Sequence, residues 1–409
     1  MNPPRALVIG GSLGGLFAAN FLKRIGWNVT VYERATAELS ERGAGLGTQG
    51  ELFEALRHLG IRVDGFVRSE VRSRIAIDPF GHRSSELPIR SVTTAWDCIY
   101  RALKDALPVQ HYQPGKRLKS LQQDAHRICA AFEDGSYAEG ELLVGADGMN
   151  STARDQLIPT VLPRYAGYIA WRGVAEETDL PASLRGLLLN HMTFCFPDGE
   201  LVLSVPMPPR PTSPSRRRCQ FSWFRRADVN GTLRDMCTDA QGNCHGMSIP
   251  PPLIRQKHLE KMRADAKALL APQLATLIRL AKQPLLQPIY DLESPRVAFG
   301  RAVLLGDAAF VARPHVGTGV TKAALDAQCL ADAVLMGRGD IETALIRYER
   351  ERVPYGTSLV ARGRYLGAYL GASPDHRPHS GPDPIRDPES FMREFGAAGT
   401  IQTRQRKAR

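Results

Sequence analysis

Residues 6–15 read ALVIGGSLGG, an apolar run that changes abruptly into glycine. The run has the length of a short buried strand, and GLFAANFLKRIG (15–26) continues with apolar residues at helical spacing until Gly26. A second apolar run, NVTVYER (28–34), ends at Glu33 and Arg34. Strand, glycine turn, helix, strand and acid within about 30 residues predict a dinucleotide-binding βαβ unit.

Each part of this unit has a physical task in holding a pyrophosphate. Gly10 permits the tight turn, and Gly15 lets the helix and the strand approach each other. The start of the helix offers free N–H groups to phosphate, and Glu33 can accept a hydrogen bond from a ribose hydroxyl. Ser12 replaces the middle glycine of the fingerprint, and its hydroxyl can itself donate to a phosphate. On this stretch alone, a purely structural turn remains the alternative.

Composition bounds the remaining possibilities. The 409 residues are 43% hydrophobic, enough for about two or three structural units. The net charge of +11 comes from 53 basic residues interspersed with 42 acidic ones, which disfavours a dedicated nucleic-acid partner. No apolar run reaches the length of a membrane span. The seven cysteines are odd in number and lack a C-x-x-C pair, so we expect a cytoplasmic protein with no bound metal.

Two further strand-and-turn motifs follow. LLVGADGMNSTAR (142–154) is a strand that ends at Asp147-Gly148, and RAVLLGDAAFVARPHVGTG (301–319) is a strand that ends at Gly306-Asp307. The second motif continues into a glycine turn that opens a long helix. Asp307 can hydrogen-bond a polyol chain, and the N–H groups at the helix start suit a ring that becomes anionic on reduction.

These three motifs, in this order and spacing, resemble the FAD-dependent aromatic hydroxylases of the para-hydroxybenzoate hydroxylase type, across residues 5–370. The resemblance implies that the first turn holds the ADP half of FAD, the Asp-Gly motif lies near the pyrophosphate, and the Gly-Asp motif holds the ribityl chain. ERGAGLGTQGELFEALRHLGI (41–61) is similar to the family segment that passes the adenosine and the flavin. The implied cofactor-binding positions are Gly10, Ser12, Leu13, Gly15, Glu33, Arg34, Arg42, Gln49, Asp147, Gly306, Asp307, Pro314, Gly317, Thr318 and Gly319.

The implied fold is α/β, with a Rossmann-like FAD-binding domain of the GR2 type from residues 1–160 and 285–371, including C-terminal helices. Residues 161–284 are expected to form an inserted substrate domain, because short strands separated by turns predict antiparallel sheet that can roof a flavin. A leucine-rich stretch at 250–285 has helical spacing. Residues 372–409 are rich in Pro, Gly and charge and predict an irregular basic tail that packs weakly.

Three positions depart from the family pattern. The family commonly has His, Asn and Arg where this chain has Phe310, Thr321 and Tyr100. The chain also has only one complete dinucleotide fingerprint. NADH or NADPH is therefore expected to bind transiently on the surface of the FAD domain, as a co-substrate.

Two stretches bear on the substrate. YAGYIAWRGV (165–174) and RPHVGTG (313–319) are most similar to the family branch that hydroxylates 2,6-dihydroxypyridine in pyridine and nicotine catabolism. Strand alternation puts Tyr168 and Arg172 on one face and Trp171 on the other. His315 adjoins the flavin turn, so the candidate catalytic residues are His315, Tyr168 and Arg172. The alternatives are an aromatic core strand and a loop histidine bonded to backbone.

The implied reaction is hydroxylation of an electron-rich hydroxypyridine. NAD(P)H reduces non-covalent FAD, O2 adds at flavin C4a, and the outer oxygen of the hydroperoxide passes to the ring. Two alternatives stay open. One is a flavin hydroxylase of another phenolic acid or polyketide, in which Arg172 or Arg313 pairs with a carboxylate; the other is an FAD-binding reductase without hydroxylation. The choice between NADH and NADPH, and whether the protein forms a homodimer, are also left open.

Overall fold

The computed structural model describes residues 3–39, 45–47, 49–209, 216–370 and 387–396. None of the helices in these ranges is both long and apolar enough to cross a membrane. The strands are β1 (Arg5–Ile9), β2 (Asn28–Glu33), β3 (Gly45–Gly47), β4 (Arg68–Val71), β5 (Arg74–Ile77), β6 (Arg83–Leu87), β7 (Ser91–Ala95), β8 (Tyr112–Pro114), β9 (Leu118–Gln123), β10 (Ile128–Phe132), β11 (Tyr137–Gly140), β12 (Leu142–Gly145), β13 (Arg164–Glu176), β14 (Met192–Cys195), β15 (Leu201–Met207), β16 (Arg218–Arg226), β17 (Leu285–Glu293), β18 (Ala298–Phe299), β19 (Ala302–Leu304) and β20 (Phe310–Val311). The helices are α1 (Leu13–Arg24), α2 (Gly50–His58), α3 (Trp96–Asp105), α4 (Thr152–Leu157), α5 (Ala182–Leu188), α6 (Arg234–Met236), α7 (Gln256–Leu269), α8 (Pro272–Leu280), α9 (Gly319–Gly337), α10 (Ile341–Gly367) and α11 (Pro388–Glu394).

A six-stranded sheet in the order β18-β19-β12-β1-β2-β8 forms the first layer. Its pairs are parallel except at the edge, where β18 runs antiparallel to β19. Ile9 at the end of β1 pairs with Tyr32 of β2 and with Gly145 of β12, and Gly145 pairs in turn with Leu304 of β19. The turns after these strands therefore lie along a single edge of the sheet, which confirms the predicted α/β fold class.

The glycine turn after β1 is as tight as its sequence predicts. Gly10 has φ +105°, and a Cβ there would lie 2.4 Å from the Ala146 carbonyl oxygen. A Cβ at Gly15 would lie 1.8 Å from the carbonyl oxygen of Gly10. Side chains at these two positions would force β1 away from β12 or α1, so the turn depends on glycine at both.

The second layer is an eight-stranded sheet in the order β20-β17-β13-β16-β15-β14-β5-β6. Its outer face, which includes Trp171, packs with apolar residues of α7 and α8, as the helical spacing at 250–285 predicted. Tyr168 and Phe224 are buried on the inner face, so the predicted alternation along β13 is confirmed. The sheet also includes β5 and β6, which precede residue 160, and therefore extends beyond the stretch 161–284.

The end of the chain differs from its predicted irregular structure. Within the stretch 372–409, residues 387–396 contain α11, whose Phe391 and Met392 are fully buried. The guanidinium of Arg74 donates hydrogen bonds to the carbonyl oxygens of Met392 and of Phe395, the latter at 2.7 Å. Apolar residues at 391, 392 and 395 share one helical face and give this segment a surface to bury. The prediction of a weakly packed tail is wrong for 387–396, and the rest of that stretch lies outside the described residues.

Replacing Phe391 with alanine should release α11 from the protein, because the ring of Phe391 is fully buried in the docked helix. The expected cost is about 3 kcal/mol of docking free energy. Trypsin should then cleave after Arg393 much faster than in the parent, with the product identified by mass spectrometry. Glu389→Ala, on the exposed face of the same helix, should leave the rate unchanged. Equal rates for Phe391→Ala and the parent would show that the ring does not hold the helix.

Candidate active site

A cavity of about 250 Å³ lies at the carboxyl edge of the six-stranded sheet. It brings together five of the predicted cofactor positions: Gly10, Ser12, Glu33, Arg34 and Asp147. Because β2, β1 and β12 end side by side, these residues meet although they come from distant parts of the chain. The full lining is Ile9, Gly10, Ser12, Tyr32, Glu33, Arg34, Leu39, Trp96, Lys116, Arg117, Leu118, Ala146, Asp147, Gly148 and Thr152.

Glu33 and Ser12 present polar atoms to this cavity. The Glu33 carboxylate accepts hydrogen bonds from the backbone N–H of Gly11 at 2.7 Å and of Ala35 at 2.8 Å, and each oxygen keeps a second lone pair. Ser12 is exposed at the start of α1, and its hydroxyl makes no capping hydrogen bond. Acidic residues are also absent from the first turn of α1. The arrangement suits a ribose beside Glu33 and a phosphate at the helix start.

The side chain of Asp147 is occupied by hydrogen bonds within the Asp-Gly turn, which leaves mainly its backbone to meet a cofactor. Its carboxylate accepts hydrogen bonds from the Ser151 hydroxyl at 2.5 Å and from the Ala153 N–H at 3.1 Å, and burial raises its pKa. Arg154, also buried, donates to the carbonyl oxygen of Met149 at 2.8 Å. Both charged side chains therefore hold the Asp-Gly turn in place at the start of α4.

The Gly-Asp turn and the start of α9 continue the same edge. The N–H of Gly306 donates to the Asp326 carboxylate at 3.0 Å, whereas the Asp307 side chain is 57% exposed and free to meet a ligand. Pro314 begins a short 3-10 turn that ends at Gly317, with φ +64°. Thr318 is buried and does not cap α9, and Gly319 is exposed. The first N–H groups of α9 thus have no side-chain acceptor from its cap.

Three predicted cofactor positions remain to be placed: Leu13, Gln49 and Arg42. The Leu13 side chain is buried in the core, so only its backbone at the start of α1 can serve a cofactor. Gln49 donates from Nε2 to the carbonyl oxygen of Gly396 at 3.3 Å, while its buried Oε1 has no partner within the described ranges. Arg42 lies outside the described residues.

The three departures from the family pattern are all buried side chains. Phe310 packs closely on Gly356 of α10: a Cβ added at Gly356 would lie 2.4 Å from the Phe310 ring. Thr321 is 4% exposed. The Tyr100 hydroxyl lies 3.4 Å from that of Tyr112, which donates to the Gly11 carbonyl oxygen at 3.3 Å. These side chains help to shape the cofactor edge through packing and a hydroxyl contact to the first glycine turn.

His315 lies at the interface between the two layers and is fully buried. Its Nε2 lies 2.9 Å from the Tyr168 hydroxyl, and its ring packs against Phe224 and Phe391. Its carbonyl oxygen accepts a hydrogen bond from Gly396. Burial lowers the pKa of His315 to about 3, helped by the nearby positive charges of two arginines. The imidazole is therefore neutral at physiological pH, and its ring bonds to a tyrosine and not to backbone.

Two arginines near His315 differ in their partners. Arg313 forms a buried ion pair with Asp291, with Nη2 and Oδ2 2.8 Å apart. Arg172 is only partly buried, and it forms no ion pair or hydrogen bond among the residues that the structure describes; its Nε is orphaned. Burial lowers the pKa of Arg172 to about 10, so the group stays charged near neutrality. Of the two candidates for binding an anionic substrate, only Arg172 is available.

The sequence did not indicate that the C-terminal segment borders this site. Residue Gly396 lies so close to Gly317 that a Cβ on Gly317 would approach its Cα to 3.0 Å. Phe391 contacts the His315 ring, and Arg74 holds the segment by its carbonyl groups. The only signal in the sequence is the apolar spacing at 391, 392 and 395, which does not reveal where the helix docks.

Comparison with known proteins agrees with this geometry. A family model described as FAD binding domain-like matches residues 165–291. A 2,6-dihydroxypyridine 3-monooxygenase from Paenarthrobacter nicotinovorans is 30% identical over 371 residues, which are 90% of this chain and 91% of that protein. The chain belongs to the FAD-dependent aromatic monooxygenases. Among solved structures, the 2,6-dihydroxypyridine-3-hydroxylase of Arthrobacter nicotinovorans superposes on this monooxygenase with a TM-score of 0.85 at 28% identity, over 93% of this chain and 99% of the other.

A second solved relative bears on the cofactor. A Klebsiella pneumoniae protein complexed with FAD and uric acid has a TM-score of 0.72 and 25% identity, covering 91% of this chain and 90% of its own. The site of the present monooxygenase fits FAD on its own atoms. Two uncapped helix starts can receive phosphate and the flavin ring, and exposed carboxylate oxygens of Asp307 can receive hydroxyls. The Oε1 of Gln49, buried and without a partner in the described part of the chain, adds an acceptor.

Replacing Asp307 with alanine should weaken FAD binding about tenfold to a hundredfold, because the monooxygenase would lose a charged acceptor for cofactor hydroxyls. Fluorescence titration of the apoprotein with FAD measures the loss. Ser12→Gly, which restores the family fingerprint at the other end of the site, should bind FAD at least as tightly as the parent. Parent-like affinity in Asp307→Ala would remove the Gly-Asp turn from the cofactor site.

Burial of neutral His315 should make the stability of the monooxygenase depend on pH. Below its ordinary pKa of 6.5 the unfolded chain binds a proton that the folded chain rejects, so stability falls as the pH falls towards about 3. From pH 7 to pH 5 this group should cost about 2 kcal/mol, measured by urea unfolding. His315→Gln should show a correspondingly smaller loss, whereas the exposed control His82→Gln should behave like the parent. Identical losses in His315→Gln and the parent would contradict the buried, neutral state.

Proposed function

We propose that this monooxygenase hydroxylates an electron-rich hydroxypyridine ring, with NAD(P)H as reductant and O2 as the source of the oxygen atom. The observation that carries the proposal is the unpaired cation of Arg172, on the same face of β13 as Tyr168, whose hydroxyl meets neutral His315. A deprotonated hydroxypyridine is a planar anion that needs such a cation. The relatives named for 2,6-dihydroxypyridine agree with this substrate class.

In this proposal Arg172 binds the ring oxygen that carries the negative charge. A cation in a partly dry site favours the anionic form of the substrate, which is the form whose ring carbon is most electron-rich. Its planar guanidinium also fixes the ring orientation through two parallel donors. Bound FAD supplies the oxygen-activating redox chemistry. Arg172 thereby positions and activates the substrate without itself entering a covalent step.

His315 and Tyr168 form the adjoining wall of the proposed substrate site. With its pKa lowered to about 3, His315 cannot hold a second proton near neutrality. It is better suited to accept a hydrogen bond from a substrate hydroxyl at Nδ1, which has no partner among the residues that the structure describes, while Nε2 stays bonded to Tyr168. The neutral ring thereby orients the hydroxyl without taking its proton.

A second substrate class follows from the same free guanidinium. An aromatic acid could place its carboxylate on Arg172, since Arg313 is already committed to Asp291. The choice between the two classes is a matter of which anion the site accepts. Membership of the monooxygenases disfavours the third possibility, an FAD-binding reductase without hydroxylation. We also propose a cytoplasmic location, because all seven cysteines carry free thiols.

The test is substrate-coupled turnover. Purified holoenzyme is supplied with NADH or NADPH and with a panel of hydroxypyridines, hydroxybenzoates and neutral phenols, while reduced nicotinamide, O2 and product are followed together. Equal consumption of reduced nicotinamide and O2, with formation of the same amount of hydroxylated product from 2,6-dihydroxypyridine, supports the proposal. Product formation only with carboxylated rings would assign the enzyme to aromatic acids instead. Oxidation of NAD(P)H without any hydroxylated product would refute both substrate classes.

Replacing Arg172 with glutamine should weaken binding of the hydroxypyridine anion about tenfold to a hundredfold, because a charged hydrogen bond in a partly buried site is lost. Binding is measured from the perturbation of the flavin spectrum by substrate. FAD should stay bound, because Arg172 lies on the eight-stranded sheet and not at the cofactor edge of the six-stranded sheet. Arg164→Gln, an exposed cation on the same strand, serves as the control. If the two variants bind substrate equally well, Arg172 is not the anion site.

A further inference from the structure

Lys322 has an unusual environment for a lysine. It lies in the first turn of α9, where its backbone N–H donates to the Thr318 carbonyl oxygen at 2.8 Å. Its side chain is only 2% exposed, yet Nζ makes no hydrogen bond to any residue that the structure describes. The nearest carboxylates, those of Asp307 and Asp326, are each 3.8 Å from Nζ. A buried ammonium with three unused donors is costly, so an acceptor is missing here.

Asp326 makes no hydrogen bond to Nζ, because the two groups are 3.8 Å apart, and its carboxylate already accepts from other donors. Arg352 donates to Oδ1 from Nε at 2.7 Å, and the Gly306 N–H donates to Oδ2 at 3.0 Å. The Asp326 charge is thus balanced by Arg352. The charge of Lys322 is directed towards Asp307, whose side chain is 57% exposed at the cofactor edge.

The position of Lys322 adds to the electrostatics of the helix start. The first turn of α9 has no acidic residue and its cap makes no side-chain hydrogen bond, so the partial positive charge of the helix end is not neutralised there. The Lys322 ammonium, beside the Gly-Asp turn, reinforces that positive end. Both features favour a ligand atom that carries negative charge between Asp307 and Gly319.

We propose that Lys322 is a positioning residue for FAD: from beneath the Gly-Asp turn its ammonium orients the exposed Asp307 towards the cofactor, and its charge favours the reduced flavin. The inference rests on FAD binding at this edge and not on the identity of the aromatic substrate.

The experiment compares Lys322→Met and Lys322→Arg with the parent holoenzyme and with Lys282→Met, which removes an 83% exposed lysine. Circular dichroism checks the fold, and titration of the apoprotein gives the FAD affinity. Two readouts report on charge at the flavin without any turnover: the midpoint potential, and the affinity for sulfite, which adds to the flavin ring and leaves it negatively charged. Should Lys322→Met fail to fold, Lys322→Gln keeps a polar side chain and removes the charge.

We expect the neutral variants to bind sulfite at least tenfold more weakly, and their midpoint potential to fall by about 30 mV, the two-electron equivalent of that factor. Lys322→Arg and Lys282→Met should stay near the parent. Loss of FAD from a folded Lys322→Met, with FAD retained in Lys322→Arg, also supports a positive charge beneath the Gly-Asp turn that FAD binding needs. Parent-like sulfite affinity and potential in an FAD-loaded neutral variant overturn the proposal. A parent that bound no FAD would instead refute the cofactor assignment itself.

Discussion

The parallel register of β2, β1, β12 and β19 is the constraint on which the rest of the structure depends. Because Ile9, Gly145 and Leu304 pair in one row, the three polar turns that follow must leave the sheet at the same edge. A shift of one strand would separate the Glu33 carboxylate from the start of α1. The tight glycine contacts around Gly10 maintain this register, since they tolerate no gap between strand and helix.

Burial lowers the pKa of both titratable groups of the proposed substrate site, but with different results near neutrality. His315 becomes neutral, whereas Arg172 stays charged with no counterion among the described residues, an arrangement that costs stability in the free protein. The neighbouring Arg313 avoids that cost by pairing with Asp291. An unpaired cation beside a fully paired one is expected where a ligand supplies the missing charge, because a purely structural arginine would have acquired a partner.

The sequence was sufficient to predict the features that are local. The glycine turns, the strand faces of Tyr168 and Trp171 and the order of the three motifs all follow from spacing within a few residues. The pairing of Arg313 with Asp291 and the docking of α11 on β5 could not be predicted, because each joins residues from distant segments. The burial of Lys322 is of the same kind, since a lysine near a helix start is usually solvated.

The chain passes between the two large sheets five times, after β2, β6, β12, β17 and β19. A domain joined by one or two linkers can rotate as a body, but a layer tied by five separate connections can rotate only if all of them bend together. Large hinge motion between the layers is therefore disfavoured. A ligand can reach the space between the layers only if individual loops or a peripheral element move. The two layers themselves form a stiff frame, which fixes the distance from the cofactor edge of the six-stranded sheet to the inner face of the eight-stranded sheet.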